Sequence, residues 1–120
     1  MNKAAELIAA LFMAREQAHR AHLATTSYAQ HMALGDFYDA IVDKADTFAE
    51  VYQGIYGIIE DIPYAKPTKG EIDDALETHL ETVEGLRGAF TKLADKPLQN
   101  IIDDICAEFN QTLYKLRNLK

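Results

Sequence analysis

The chain has one cysteine and no tryptophan, and residues that break helices are scarce. Cys106 alone cannot form an intrachain disulfide, which excludes a disulfide scaffold and predicts a small core residue. Only three prolines and six glycines occur in 120 residues, so long helices are favoured. No run approaches the roughly 18 apolar residues of a membrane span, and no apolar signal segment follows Lys3. The expectation is a cytoplasmic protein with no membrane partner.

Positive charge is also in short supply. The sequence contains 12 basic and 19 acidic residues, which gives a formal net charge of −7. Nucleic-acid binding depends on clusters of basic side chains that neutralise phosphates, and the sequence has no such cluster. We therefore expect no nucleic-acid partner. An acidic balance favours cations, or simply keeps the protein in solution.

Apolar residues recur at helical spacing along the whole chain, and no segment alternates as a strand does. The length suits one domain, residues 1–120. The pattern predicts helices over residues 3–25, 28–60, 70–94 and 96–118. Because the joints between these segments are short, the prediction is an all-α, antiparallel, up-down-up-down four-helix bundle.

Capping residues mark where the predicted helices begin. The three signals are Ser27 with Gln30, Thr68 with Glu71, and Asp95 before Pro97. Residues 61–70, with two prolines and a glycine, form the clearest connector. Three glycines fall within the second predicted helix. Close packing against another helix would explain Gly54 or Gly57, and a bend in the helix would explain Gly35.

Histidines and carboxylates are concentrated in the first two helices. The group comprises His19, His22, His31, Asp36, Asp39, Asp43, Asp46 and Glu50. Four-helix bundles build carboxylate–histidine metal sites from such residues on facing helices. At about 100° per residue, Asp39, Asp46 and Glu50 lie together, to one side of the apolar stripe through Ile41 and Ala45. These carboxylates therefore do not point into the core of their own bundle.

Three interpretations without a metal remain open. The carboxylates can form a solvated acidic face. His19 and His22, one turn apart, can be hydrogen-bonded residues at the core boundary, as His79 is expected to be. Arg15, on the same stripe of the first helix, can neutralise Asp46 or Glu50 in a buried ion pair.

The run Ala18-His19, His31, Phe37, Asp43, Asp46-Thr47 and Ala49-Glu50 resembles the Dps mini-ferritins, which are ferritin-like. The resemblance implies a ferritin-like fold and an iron-oxidising site across a two-fold dimer interface. His19 and His31 would come from one subunit, and Asp46 and Glu50 from the other. His22 and Asp39 are weaker candidates. The additional aspartate of that family falls at Gly35 here, which leaves Asp36 or Asp39 as its substitute.

A second run, which includes His22-Leu23, Ser27-Tyr28-Ala29 and Phe37-Tyr38-Asp39, resembles an uncharacterised family of short, phage-associated helical proteins. That family has no established activity. The resemblance to the mini-ferritins therefore implies a homodimer or larger homo-oligomer that binds iron or another divalent transition metal and can act as a ferroxidase. The alternative is a non-enzymatic helical interaction protein, of the phage-encoded kind, with a solvated acidic face and no metal.

Overall fold

The computed structural model describes residues 2–120, which fold into four long helices. These are α1 (Lys3–Ala24), α2 (Tyr28–Tyr56), α3 (Ile72–Leu86) and α4 (Lys96–Asn118). Two 3₁₀ turns, Arg87–Ala89 and Leu93–Asp95, join α3 to α4. No strand occurs within residues 2–120, so the prediction of an all-helical protein is confirmed.

All four helices contribute to one core. Its largest fully buried side chains are Phe37, Phe48, Phe109, Leu7, Ile8, Leu11, Leu34, Ile41, Leu76, Leu98, Ile102 and Ile105. Phe37 of α2 meets Phe109 of α4 edge to face, with ring centroids 5.1 Å apart. This core fixes the inner faces of α1 and α2 and so determines which of their side chains face outward.

The order of the helices around the bundle differs from the prediction. α1 packs against α2 and α3, and α4 packs against the same two helices, so α2 and α3 lie on a diagonal. Arg117 near the end of α4 binds Asp73 at the start of α3, and Thr68 before α3 binds Gln17 late in α1. α3 is therefore antiparallel to both α1 and α4, and parallel to α2. The topology is up-down-down-up, and the predicted up-down-up-down order is wrong.

The length of the connector explains this difference. Gly57, with a φ of 99°, ends α2 at Tyr56, and α3 starts only at Ile72. The prediction had α2 continue to residue 60. The intervening residues 57–71 can span about 50 Å when extended, which exceeds the 44 Å longest dimension of the molecule. The connector can thus return along the bundle, and it lies against α1.

Two of the three predicted caps differ in detail. Ser27 caps α2 as predicted, accepting a hydrogen bond from the backbone N–H of Gln30. Thr68 does not cap α3; its backbone N–H donates to the side chain of Gln17 instead. The Asp95 carboxylate, buried at the start of α4, accepts from Lys92 N–H and Tyr56 O–H. α3 also ends at Leu86 rather than at residue 94.

The glycines near the two ends of α2 differ in how closely other atoms approach them. A Cβ on Gly35 would lie 3.1 Å from Cε1 of His22, so Gly35 permits close packing of α1 on α2. A Cβ on Gly54 would meet no atom within 4 Å. Close packing therefore occurs at Gly35, whereas the predicted close packing at Gly54 or Gly57 is wrong.

This contrast supplies a matched pair of variants. Gly54→Ala is expected to raise the free energy of unfolding by about 0.5–1 kcal/mol, because alanine is the better helix former and the site is open. Gly35→Ala is expected to lower it, because the His22 ring must move. Urea denaturation measures both changes. In a Gly35→Ala, His22→Ala double variant the ring is absent, so alanine at position 35 should raise the free energy of unfolding relative to His22→Ala alone. Equal stabilisation by Gly35→Ala and Gly54→Ala would contradict the close packing at Gly35.

No helix within residues 2–120 is both long enough and apolar enough to cross a membrane.

Candidate metal site on the first two helices

Three imidazoles meet at the end of the bundle where α1 turns into α2. The rings of His22 and His31 are stacked, with centroids 3.8 Å apart and an angle of 17° between their planes. The His19 ring lies 6.3 Å from that of His22 and stacks on Tyr38 at 4.3 Å. His22 therefore lies next to both His19 and His31, and all three rings are partly buried.

Backbone carbonyls fix the orientation of two of these rings. Nδ1 of His22 is 2.7 Å from the carbonyl oxygen of His31, and Nδ1 of His31 is 2.9 Å from that of His22. A carbonyl oxygen only accepts, so each Nδ1 carries the proton and donates it. In the neutral rings each Nε2 then keeps a free lone pair. Metal-binding histidines commonly show this arrangement, in which the second ring nitrogen donates to a carbonyl.

The candidate carboxylates lie on the outer face of α2. Asp39, Asp46 and Glu50 are all exposed, which agrees with the helical phase. Within the described chain none of these three forms an ion pair, whereas Asp36 lies 3.9 Å from Lys115. Carboxylates without a basic partner are free to accept a cation.

The two sets of residues do not meet within one chain. Over residues 2–120, no three histidine, cysteine or carboxylate side chains are grouped closely enough to hold a metal ion. Asp46 follows His31 by about four helical turns on α2, a separation of about 22 Å at the rise of an α-helix. One subunit therefore carries the candidate ligands as two separate candidate half-sites: the imidazoles at one end and the carboxylates toward the other.

Arg15 does not form the predicted ion pair. Within the described residues it contacts neither Asp46 nor Glu50, and its buried Nε has no hydrogen-bond partner. Its guanidinium carbon lies 5.8 Å from the centre of the Tyr38 ring. A cation near an aromatic face is attracted electrostatically. The prediction of an intrachain ion pair is wrong, because Arg15 packs at the level of Tyr38, closer to the middle of α2.

Gly35 has a direct effect on the site. The resemblance placed the family's additional aspartate at this position, but the His22 ring fills the space next to its backbone. A carboxylate could not occupy this place unless the ring moved. His22 and Gly35 are thus matched to each other in this chain.

His79 was expected at the core boundary, but it is buried in α3, with 3% of its surface exposed. Its Nε2 lies 2.6 Å from Oε1 of Gln17, which also accepts from the backbone N–H of Thr68. Burial lowers the pKa of His79 to about 4. This polar contact joins α1, α3 and the connector. The burial of His79 could have been predicted from the apolar spacing of α3, which places residues 76, 79 and 83 on one face.

Cys106 is a core residue, as predicted from the sequence. It is buried on α4, and burial raises the pKa of its thiol to about 12, so little reactive thiolate is present at neutral pH.

Comparison with known proteins gives a family but no function. Residues 22–116 match the model of a family of unknown function, DUF5856. The chain belongs to this family. No curated protein and no solved structure matches the chain. The segment shared with DUF5856 contains His22, His31, Asp46 and Glu50 and begins after His19.

Proposed function

We propose that this protein is a ferritin-like metal-binding protein whose site is completed by a second subunit. His19 and His31 of one subunit would bind iron or another divalent transition metal together with Asp46 and Glu50 of the other. A single long crossover between parallel second and third helices is the connectivity of ferritin-like bundles. The up-down-down-up order of the helices supports this assignment.

The observation that carries the proposal is the separation of the two half-sites. His31, whose Nε2 keeps a free lone pair, lies near one end of α2 in the cluster with His19, and carboxylates without a basic partner lie toward the other end. A two-fold axis between them would bring the imidazoles of each subunit onto the carboxylates of the other. Nitrogen and oxygen ligands in this combination suit Fe(II), Co(II) and Zn(II).

The residues fit such a metal in charge and in proton balance. Neutral imidazoles bind through Nε2 without losing a proton, and two carboxylates neutralise the charge of a divalent ion. If the metal is Fe(II), it is the substrate of a ferroxidase, and dioxygen or peroxide takes up the electrons. The chain's own contribution is to hold the iron and to shield it with the half-buried rings of the histidines and Tyr38.

Titration of the purified protein with Co(II), combined with measurement of its mass in solution, tests the proposal. We expect one metal site for each subunit in a protein of at least dimeric mass. A confirmed dimer that takes up no stoichiometric Co(II) or Fe(II) would exclude a metal site of this kind.

The contact between His22 and His31 favours a second candidate function. His22 and His31 already satisfy each other's Nδ1 through backbone carbonyls, and their rings stack. These bonds tie the ends of α1 and α2 together without any metal. The second candidate is therefore a non-enzymatic interaction protein with an acidic α2 face. A titration that shows no metal uptake, with the fold intact, favours this candidate.

A further inference from the structure

A groove of about 590 Å³ lies between α1, α2 and the connector. Its apolar lining includes Phe12, Val42, Ile62 and Tyr64. Its charged lining is Arg15, Arg20 and Glu16; because Arg20 and Glu16 form an ion pair with each other, Arg15 supplies the net positive charge. Phe12 is partly exposed, and Tyr64 is completely exposed. An apolar groove with a cation in it suits an acidic partner surface.

We propose that this groove is the contact surface for a second copy of the chain, with Arg15 facing the acidic α2 surface of the partner subunit near its middle, at Asp39. The position of the contact rests on the proposed function, which fixes how the two copies are aligned. The existence of the contact does not require a metal.

The charges of the molecule favour this partner. Arg15 forms no ion pair within residues 2–120, so its charge is not paired with a carboxylate of its own subunit. The outer face of α2 presents several carboxylates, and the net charge of −7 makes two copies repel each other in general. A stable pair therefore needs a cation placed at the contact, and Arg15 is available for this.

Symmetry places Arg15 opposite Asp39. In a two-fold dimer that joins His31 to Asp46 and Glu50, the axis crosses α2 midway between them, at Asp39–Ala40. The Arg15 guanidinium lies level with this point, because it is 5.8 Å from the Tyr38 ring. The two Asp39 carboxylates would approach each other near the axis, and one Arg15 from each subunit would offset that repulsion.

The contact must extend beyond α2 to reach the size of a stable interface. Residues 31–50 of α2 extend over about 28 Å, but a helix is only about 10 Å wide. A standard interface takes about 800 Å² from each partner, so the groove beside α2 must contribute to it. Such a contact would also cover Phe12 and Tyr64.

Sedimentation equilibrium of the full chain, in the presence of a chelator, tests the contact. We expect Arg15→Glu to raise the dimer dissociation constant at least tenfold, because the introduced carboxylate would face that of Asp39. Asp39→Arg should do the same, and the Arg15→Glu, Asp39→Arg double variant should return to within about threefold of wild type. Lys96→Glu, on the exposed first turn of α4, makes the same charge change away from the contact and should have little effect.

Circular dichroism confirms that each variant is folded, and Arg15→Gln provides a milder change if Arg15→Glu is not. A monomeric wild type, or a double variant no tighter than the single ones, overturns the proposed contact. A dimer that depends on Arg15 and Asp39 but binds no Co(II) keeps the contact and removes the metal site. A Co(II)-binding dimer that is insensitive to both residues keeps the metal site and overturns the contact.

Discussion

Replacing Asp46 and Glu50 together by alanine is expected to weaken Co(II) or Fe(II) binding by at least about 100-fold, since even the outer partners of metal ligands account for 10–100-fold. Both carboxylates are exposed and form no ion pair within the described chain. The free energy of unfolding should therefore stay within about 0.5 kcal/mol of wild type. Calorimetric titration measures the binding, and urea denaturation measures the stability.

The matched control for this variant removes the same charge from the same helix. Asp36→Ala with Asp43→Ala also deletes two exposed carboxylates of α2, neither of which is one of the four main ligands in the proposed site. The metal affinity of this control variant should remain within about threefold of wild type, because salt screens the effect of distant surface charges on the site. If both double variants lose affinity equally, the acidic face attracts cations diffusely and no defined site exists. If the Asp46 and Glu50 variant unfolds, these side chains have a structural role instead.

Acidification from pH 6.5 to pH 4 is expected to lower the free energy of unfolding by about 3 kcal/mol through His79 alone. The pKa of His79 is lowered to about 4 in the folded state by burial. The unfolded chain binds a proton at this residue near its ordinary pKa of about 6.5, while the folded chain does not. Stability is thus fully present above pH 6.5 and is lost as the pH falls toward 4. Urea denaturation at several pH values measures the change.

His79→Gln is the appropriate comparison, because glutamine can still donate to Gln17 but does not titrate. The difference in unfolding free energy between wild type and His79→Gln should shrink, and then reverse, as the pH falls through this range. Parallel curves for the two proteins would show that His79 is not the responsible group.

The helical character of the chain and most helix positions could be predicted from the sequence, because apolar periodicity and caps are local features. Ser27 defined the start of α2 correctly, and Pro97 lies in the first turn of α4 as predicted. The order of the helices could not be predicted in the same way. It depended on Gly57, where a positive φ ends α2 early and lengthens the connector enough for a crossover.

The site was predictable to a similar extent. Helical phase placed the carboxylates of α2 outside their own core, because burial on a helix follows from spacing. Contacts between helices were not available from spacing. The stacking of His22 on His31, and the fit of His22 against Gly35, depend on how closely α1 approaches α2. Arg15 was wrongly paired for the same reason.

Subunit complementation tests the proposed two-subunit site most directly. One variant lacks the imidazoles (His19→Ala, His31→Ala), and the other lacks the carboxylates (Asp46→Ala, Glu50→Ala). Neither homodimer retains a complete site, but a heterodimer of the two retains one, formed by the imidazoles of the second variant and the carboxylates of the first. Equal amounts refolded together should recover about one quarter of the wild-type Co(II) capacity, because half of the dimers are mixed and each has one of two sites. No recovery in a mixture with verified heterodimers would contradict a site shared between subunits.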